Sequence, residues 1–84
     1  MKSASLLKMF KHEVKTHYPE AMFELAPELE PNADYCLLIH VAPGHREGAS
    51  DLAAHLNVQF YMEHGIYIMG FVREAPTLAA PATV

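Results

Sequence analysis

Apolar residues recur at helical spacing near the start of the chain. Leu6, Leu7, Phe10, Val14 and Tyr18 step by three and four, while Lys8, Lys11, His12 and Lys15 lie off that stripe. The pattern predicts an amphipathic helix from Ser3 to about His17. Ser3 or Ser5 can cap its start, and Pro19 disfavours helical geometry at Tyr18 and so ends it. From Glu20 to Ala26 the period changes to two, with Ala21, Phe23 and Leu25 set against Met22 and Glu24, which predicts a short strand. Pro27 and the Glu30–Asp34 segment form a turn. Tyr35–Ala42 is apolar on both faces except for His40 and predicts the most buried strand, closed by Pro43-Gly44. Ala49, Leu52, Ala53 and Leu56 then make the stripe of a second helix over about Arg46–Leu56, with Asn57 as a left-handed stop.

The stretch Asn57–Val72 holds the densest apolar and aromatic run. Val, Phe, Tyr, Met and Ile stand on both sides of His64-Gly65, and Gly65 supplies the positive φ of a two-residue turn. It therefore reads as a β-hairpin. Val58, Phe60, Met62, Tyr67, Met69 and Phe71 would share a core face. Gln59, Tyr61, Glu63, Ile66, Ile68, Gly70 and Val72 would share the other.

The predicted order is α-β-β-α-β-β. It implies an α+β domain with two helices packed on one face of a four-stranded, mainly antiparallel sheet. This is a ferredoxin-like or permuted two-layer sandwich by arrangement alone, with no functional implication. Residues 1–73 make one domain and 74–84, rich in Ala and Pro, a loose tail.

The open side of such a sheet would show Met22, Glu24, Cys36, Leu38, His40, Gln59, Tyr61, Glu63, Ile66 and Ile68. Leu38, Tyr61, Ile66 and Ile68 are too apolar for a face meant for water, and apolar patches of this kind mark partner sites. With Glu24 and Glu63 beside them, they are the expected protein-binding surface. Self-association about a twofold axis is its simplest form. The competing expectation is that the second helix or the tail folds across this face and makes it core.

Composition narrows the classes. Eighty-four residues with half of them apolar make one globular domain, small enough that oligomerisation helps it bury surface. No run reaches the ~18 apolar residues of a membrane helix. The N-terminus lacks a continuous apolar signal segment, and the single Cys36 cannot form an internal disulfide, so a cytoplasmic protein is expected. The net charge is −4. Lys2, Lys8, Lys11 and Lys15 cluster in the first helix, whereas Glu20, Glu24, Glu28, Glu30 and Asp34 follow without a base. An acidic chain makes nucleic acid an unlikely main partner, although the basic side of the first helix keeps that alternative open.

No catalytic constellation stands out. Six histidines are scattered and none has the spacing of a metal motif, so no metal or cofactor is expected. The low-ranking ligand site is His40, His45 and Arg46 around the Pro43-Gly44 turn. His40 with Glu24 or Glu63 would serve acid–base or metal chemistry, and Arg46 at a helix start would serve an anion. Cys36, in mid-strand between apolar neighbours, reads as a buried, inert thiol. The sequence thus points to a non-enzymatic protein-binding module, an adaptor or inhibitor of a larger protein. A His-based enzyme or small-molecule binder is the alternative.

Overall fold

A computed structural model describes residues 2–75, with side chains from residue 4; most of the expected tail, residues 76–84, lies outside the described residues. The chain forms α1 (Lys2–His17), β1 (Met22–Leu25), a short 3₁₀ turn (Pro27–Leu29), β2 (Tyr35–Val41), α2 (Arg46–His64) and β3 (Ile68–Glu74). The sheet order is β1-β2-β3, with β1 antiparallel and β3 parallel to β2. This corrects the expected four-stranded, mainly antiparallel sheet. The fold is still a small α+β domain, but its sheet is three-stranded and mixed.

The difference lies in the predicted hairpin. Residues 57–64 are not a strand but the last turns of α2. The buried stripe of that helix is Ala49, Ala53, Leu56 and Phe60, in steps of four, three and four, so it runs straight through Asn57. Strand-favouring residues at 58–62 do not override a continuous helical stripe that finds a core to pack on. Gly65 is in the left-handed conformation, at φ +69°, but as a helix stop: its N–H bonds the Tyr61 carbonyl at 2.9 Å. The turn chemistry was visible, but it closes a helix and not a hairpin. Among the described residues a single strand follows it, and the long α2 crossover is what makes that strand parallel to β2.

The core lies between the sheet and both helices. Phe10 and Val14 of α1 and the α2 stripe cover Leu37, Ile39 and Val41 of β2 and Ile68 of β3. The Phe10 and Phe60 rings meet edge to face, with centroids 5.7 Å apart. Gly70 faces this layer. A Cβ there would lie 2.9 Å from Ile39 Cδ1 and 3.2 Å from Ala53 Cβ, so its missing side chain lets α2 approach β3. Ile66 and Ile68, expected on the open face, are buried at 5% and 0% exposure and belong to this core.

Candidate functional site

Alternation along β2 sends Leu37, Ile39 and Val41 to the helices and Cys36, Leu38 and His40 to the opposite side. The strand register completes that side. Leu38 lies between Glu24 and Phe71, and His40 lies between Met22 and Arg73, while Met69 lies beside Cys36. Neither α1 nor α2 covers this face, and the Pro27–Leu29 turn lies against its Cys36 end. Met22 is 56% exposed and Phe71 38%, with Leu38 and Met69 half-buried between their neighbours. The result is an apolar patch of Leu38, Met69 and Phe71, with Met22 on the far side of Glu24 and His40 and with Arg73 at the β3 end. His40 Nε2 meets Glu24 Oε1 at 2.8 Å, an ion pair that crosses the face from β2 to β1. Beneath the Pro27–Leu29 turn, Cys36 is buried, and burial pushes its thiol above the ordinary range. Charge from Glu30 and Glu28 acts in the same direction and a Glu30 backbone hydrogen bond against it.

The expected partner-binding residues therefore divide. Leu38 and Glu24 lie together on the bare face. Tyr61 and Glu63 are exposed on α2, away from it, and Ile66 and Ile68 are interior. Tyr61 instead joins Asn57, Val58, Met62 and Tyr67 around a shallow apolar cleft of about 390 Å³. Glu63 is bonded by Gln59 Nε2 at 3.4 Å, within the helix.

The ligand-site candidates also separate. His40 belongs to Glu24, whereas His45, at the start of α2, donates from Nδ1 to Glu20 Oε2 at 2.7 Å. The Ala42 N–H reaches the same oxygen at 3.2 Å, and the Tyr18 ring packs against His45 with centroids 5.4 Å apart. Arg46 is exposed and takes no part in either pair. Glu20 is the residue that sequence reasoning passed over. Its partner is 25 positions away and comes within reach only because the Met22–His40 register carries Glu20 opposite Ala42. Among the described residues no group of three or more metal-binding side chains converges.

The Glu20 side chain is 5% exposed, and its Oε1 has no hydrogen-bond partner. Burial acts to raise its pKa. The His45 hydrogen bond, the amides of Ala42 and of Glu20 itself, and the His45 charge outweigh that and hold it below the usual 4.5. A carboxylate with a depressed folded pKa adds stability that is present above its unfolded value and lost as pH falls through the folded one. The urea midpoint is therefore expected to fall as pH drops from ~5 to ~3. Glu20→Gln should flatten part of that slope and cost about 1–3 kcal/mol at neutral pH, because His45 loses its charged acceptor. An unchanged slope in the variant would remove the His45–Glu20 pair from the stability of the fold.

Basic residues of α1 are partly committed: the Lys11 ammonium stands 5.9 Å from the centre of the Phe23 ring. No described helix is long and apolar enough to cross a membrane. Comparison of the chain with protein-family models, with curated proteins and with solved structures finds no match in any of the three.

Proposed function

We propose that this chain is a protein-binding module, an adaptor or inhibitor that docks on a larger protein through the bare face of its sheet. The observation that carries the reading is the apolar patch of Leu38, Met69 and Phe71, set on the sheet beside the His40–Glu24 ion pair, with Met22 and Arg73 beyond it. Contiguous exposed apolar surface of this kind favours a partner surface of matching shape. The mixed rim suits a protein better than a polyanion, which would meet Glu24 at once. Leu38, on the central strand, is the natural anchor.

The test is Leu38→Lys, compared with wild type in capture from cells of the source organism and in urea unfolding. The expected variant unfolds within about 1 kcal/mol of wild type, as surface substitutions do, and no longer retains the captured protein. A loss of several kcal/mol would make Leu38 interior to the chain, and undiminished capture would move docking off this face.

A second reading has one observation in its favour. Glu20 Oε1 is buried without a partner, while Glu20 Oε2 holds His45 through Nδ1 and leaves Nε2 as the second nitrogen of a carboxylate-held imidazole. Such a pair can act as a base for a small molecule. It stands behind the first reading because no third metal-binding side chain joins the pair among the described residues.

A further inference from the structure

The charges of the fold are laid out unevenly. Lys8, Lys11 and Lys15 stand on α1. From residue 16 to residue 45 the chain holds no lysine or arginine, and Glu20, Glu24, Glu28, Glu30 and Asp34 all fall in that stretch. Three of these acids are committed. Glu20 holds His45, Glu24 pairs with His40, and Asp34 accepts the Tyr67 N–H at 2.8 Å. Glu28 and Glu30 remain, and among the described residues no ion pair engages either carboxylate.

Their place follows from the 3₁₀ turn. It lies against β2 at the Cys36 end of the bare face, with the Ala26 N–H on the Cys36 carbonyl at 2.8 Å. Glu28 is exposed on that turn and Glu30 is half-buried just after it. After burial, the charges of Glu30 and Glu28 are what push the Cys36 thiol up, so both carboxylates act on that end of the face. Further along β2 the sign changes. His40 has Arg73 beside it, exposed and without an ion pair among the described residues. From Cys36 to His40 the face thus runs about 13 Å, four residues at ~3.3 Å each, from an acidic end to a basic one. Leu38 and Phe71 lie between the two ends.

We propose that the segment docked on this face is a basic amphipathic stretch of another protein, with lysine or arginine set against Glu28 and Glu30 and its apolar side on Leu38, Met69 and Phe71. The proposal rests on the docking reading above and adds the chemistry of the partner to it. Two free carboxylates against one free guanidinium set the sign. An acidic segment would bring its charges against Glu24, Glu28 and Glu30 with Arg73 alone in its favour. An uncharged one would take water from the two carboxylates and return no partner to them. The lysines of α1 act in the same sense, because they repel a basic segment while the acidic stretch draws it in. Arg73 fixes the direction: the basic end of the segment lies at the 3₁₀ turn, and its far end accommodates an acid.

The test uses the full chain and a fluorescent synthetic peptide of leucine and lysine at helical spacing, read by anisotropy. A counterpart peptide carries glutamate in place of lysine. The lysine peptide should bind and the glutamate peptide should not, and binding should weaken as salt rises. Glu28→Gln/Glu30→Gln should weaken it by up to about tenfold at low salt. Arg73→Glu should tighten it. Leu38→Asn, which removes apolar contact without adding charge, should abolish it. Glu47→Gln/Asp51→Asn takes two exposed acids from α2 instead and should change little. Circular dichroism checks that each variant is folded, and Glu28→Gln alone, at an exposed position, serves if Glu30→Gln unfolds the chain. Unchanged affinity in the Glu28/Glu30 variant, with Leu38→Asn still blocking the peptide, would overturn the basic partner and leave the docking face standing. An equal loss in the Glu47/Asp51 variant would reduce the effect to net charge and overturn it as well. Binding undiminished by Leu38→Asn would place the peptide elsewhere and overturn it too. Light scattering that shows self-association abolished by Lys8→Glu/Lys15→Glu would give the basic role to α1 of a second copy, against the proposal of another protein.

Discussion

Phe10→Ala is expected to lower the unfolding free energy by about 3–5 kcal/mol. Phe10 has no solvent exposure and stands where α1 meets α2 and the sheet. It touches the Phe60 ring of α2 edge to face, and its Cζ comes within 3.8 Å of where a Gly70 side chain would begin. Removing the ring takes apolar area out of the core and leaves a cavity that Phe60 and Ile39 can only partly fill. Small domains lie near the lower end of the usual 5–15 kcal/mol of total stability, so the variant should be close to unfolded at room temperature. Urea denaturation followed by circular dichroism measures it. Met9→Ala, one residue away and 51% exposed, is the control and should stay within about 0.5 kcal/mol of wild type. Equal losses in the two variants would mean that α1 is held by something other than its buried stripe.

Gly70→Val is expected to cost at least ~1–3 kcal/mol for the opposite reason: the site would be overfilled. The Cβ alone would come 2.9 Å from Ile39 Cδ1 and 3.2 Å from Ala53 Cβ. Ile39 can rotate its terminal carbon, but Ala53 has nothing to rotate, so the backbone of α2 must move off β3. Ala53→Gly in the Gly70→Val background should recover part of the loss by clearing that contact, less the cost of a helical glycine. No recovery would place the strain elsewhere. The pair also bears on function, because β3, on which α2 packs, carries Phe71 and Met69 on the bare face.

These two sites show what the residues disclose on their own. The stripe of α1 through Phe10 and Val14 is legible, because period and polarity agree along its length and Pro19 ends it. So is the alternation of β2, in which Leu38 and His40 share a side. The segment 57–64 is not. Val58, Phe60, Tyr61 and Met62 satisfy strand preference as well as helix stripe, and the choice is made by Ala49, Ala53 and Leu56 upstream, whose face Phe60 extends. A short apolar run cannot arbitrate between the two periods by itself. Once α2 takes those residues, the chain has length for only one more strand in the described residues, and the crossover makes it parallel. The site inherits the same error. Tyr61 and Glu63 were assigned to the open face only as part of a hairpin, and Met69 and Phe71 take that place through pairing with Cys36 and Leu38. The Glu20–His45 pair was beyond reach for a different reason, since it depends on a register that no local pattern encodes.

The claim that the bare face is the working surface can be tested on the methionines. Met22 lies on that face, 56% exposed, and Met62 on the exterior of α2, 78% exposed. Methyl resonances of both, recorded with a soluble paramagnetic agent, report whether each is open to solvent. In the free protein the two are expected to relax comparably. With the captured partner bound, Met22 should become protected and Met62 should not. A Met22 methyl already shielded in the free chain, or protection that falls on Met62 and leaves Met22 exposed, would contradict the account.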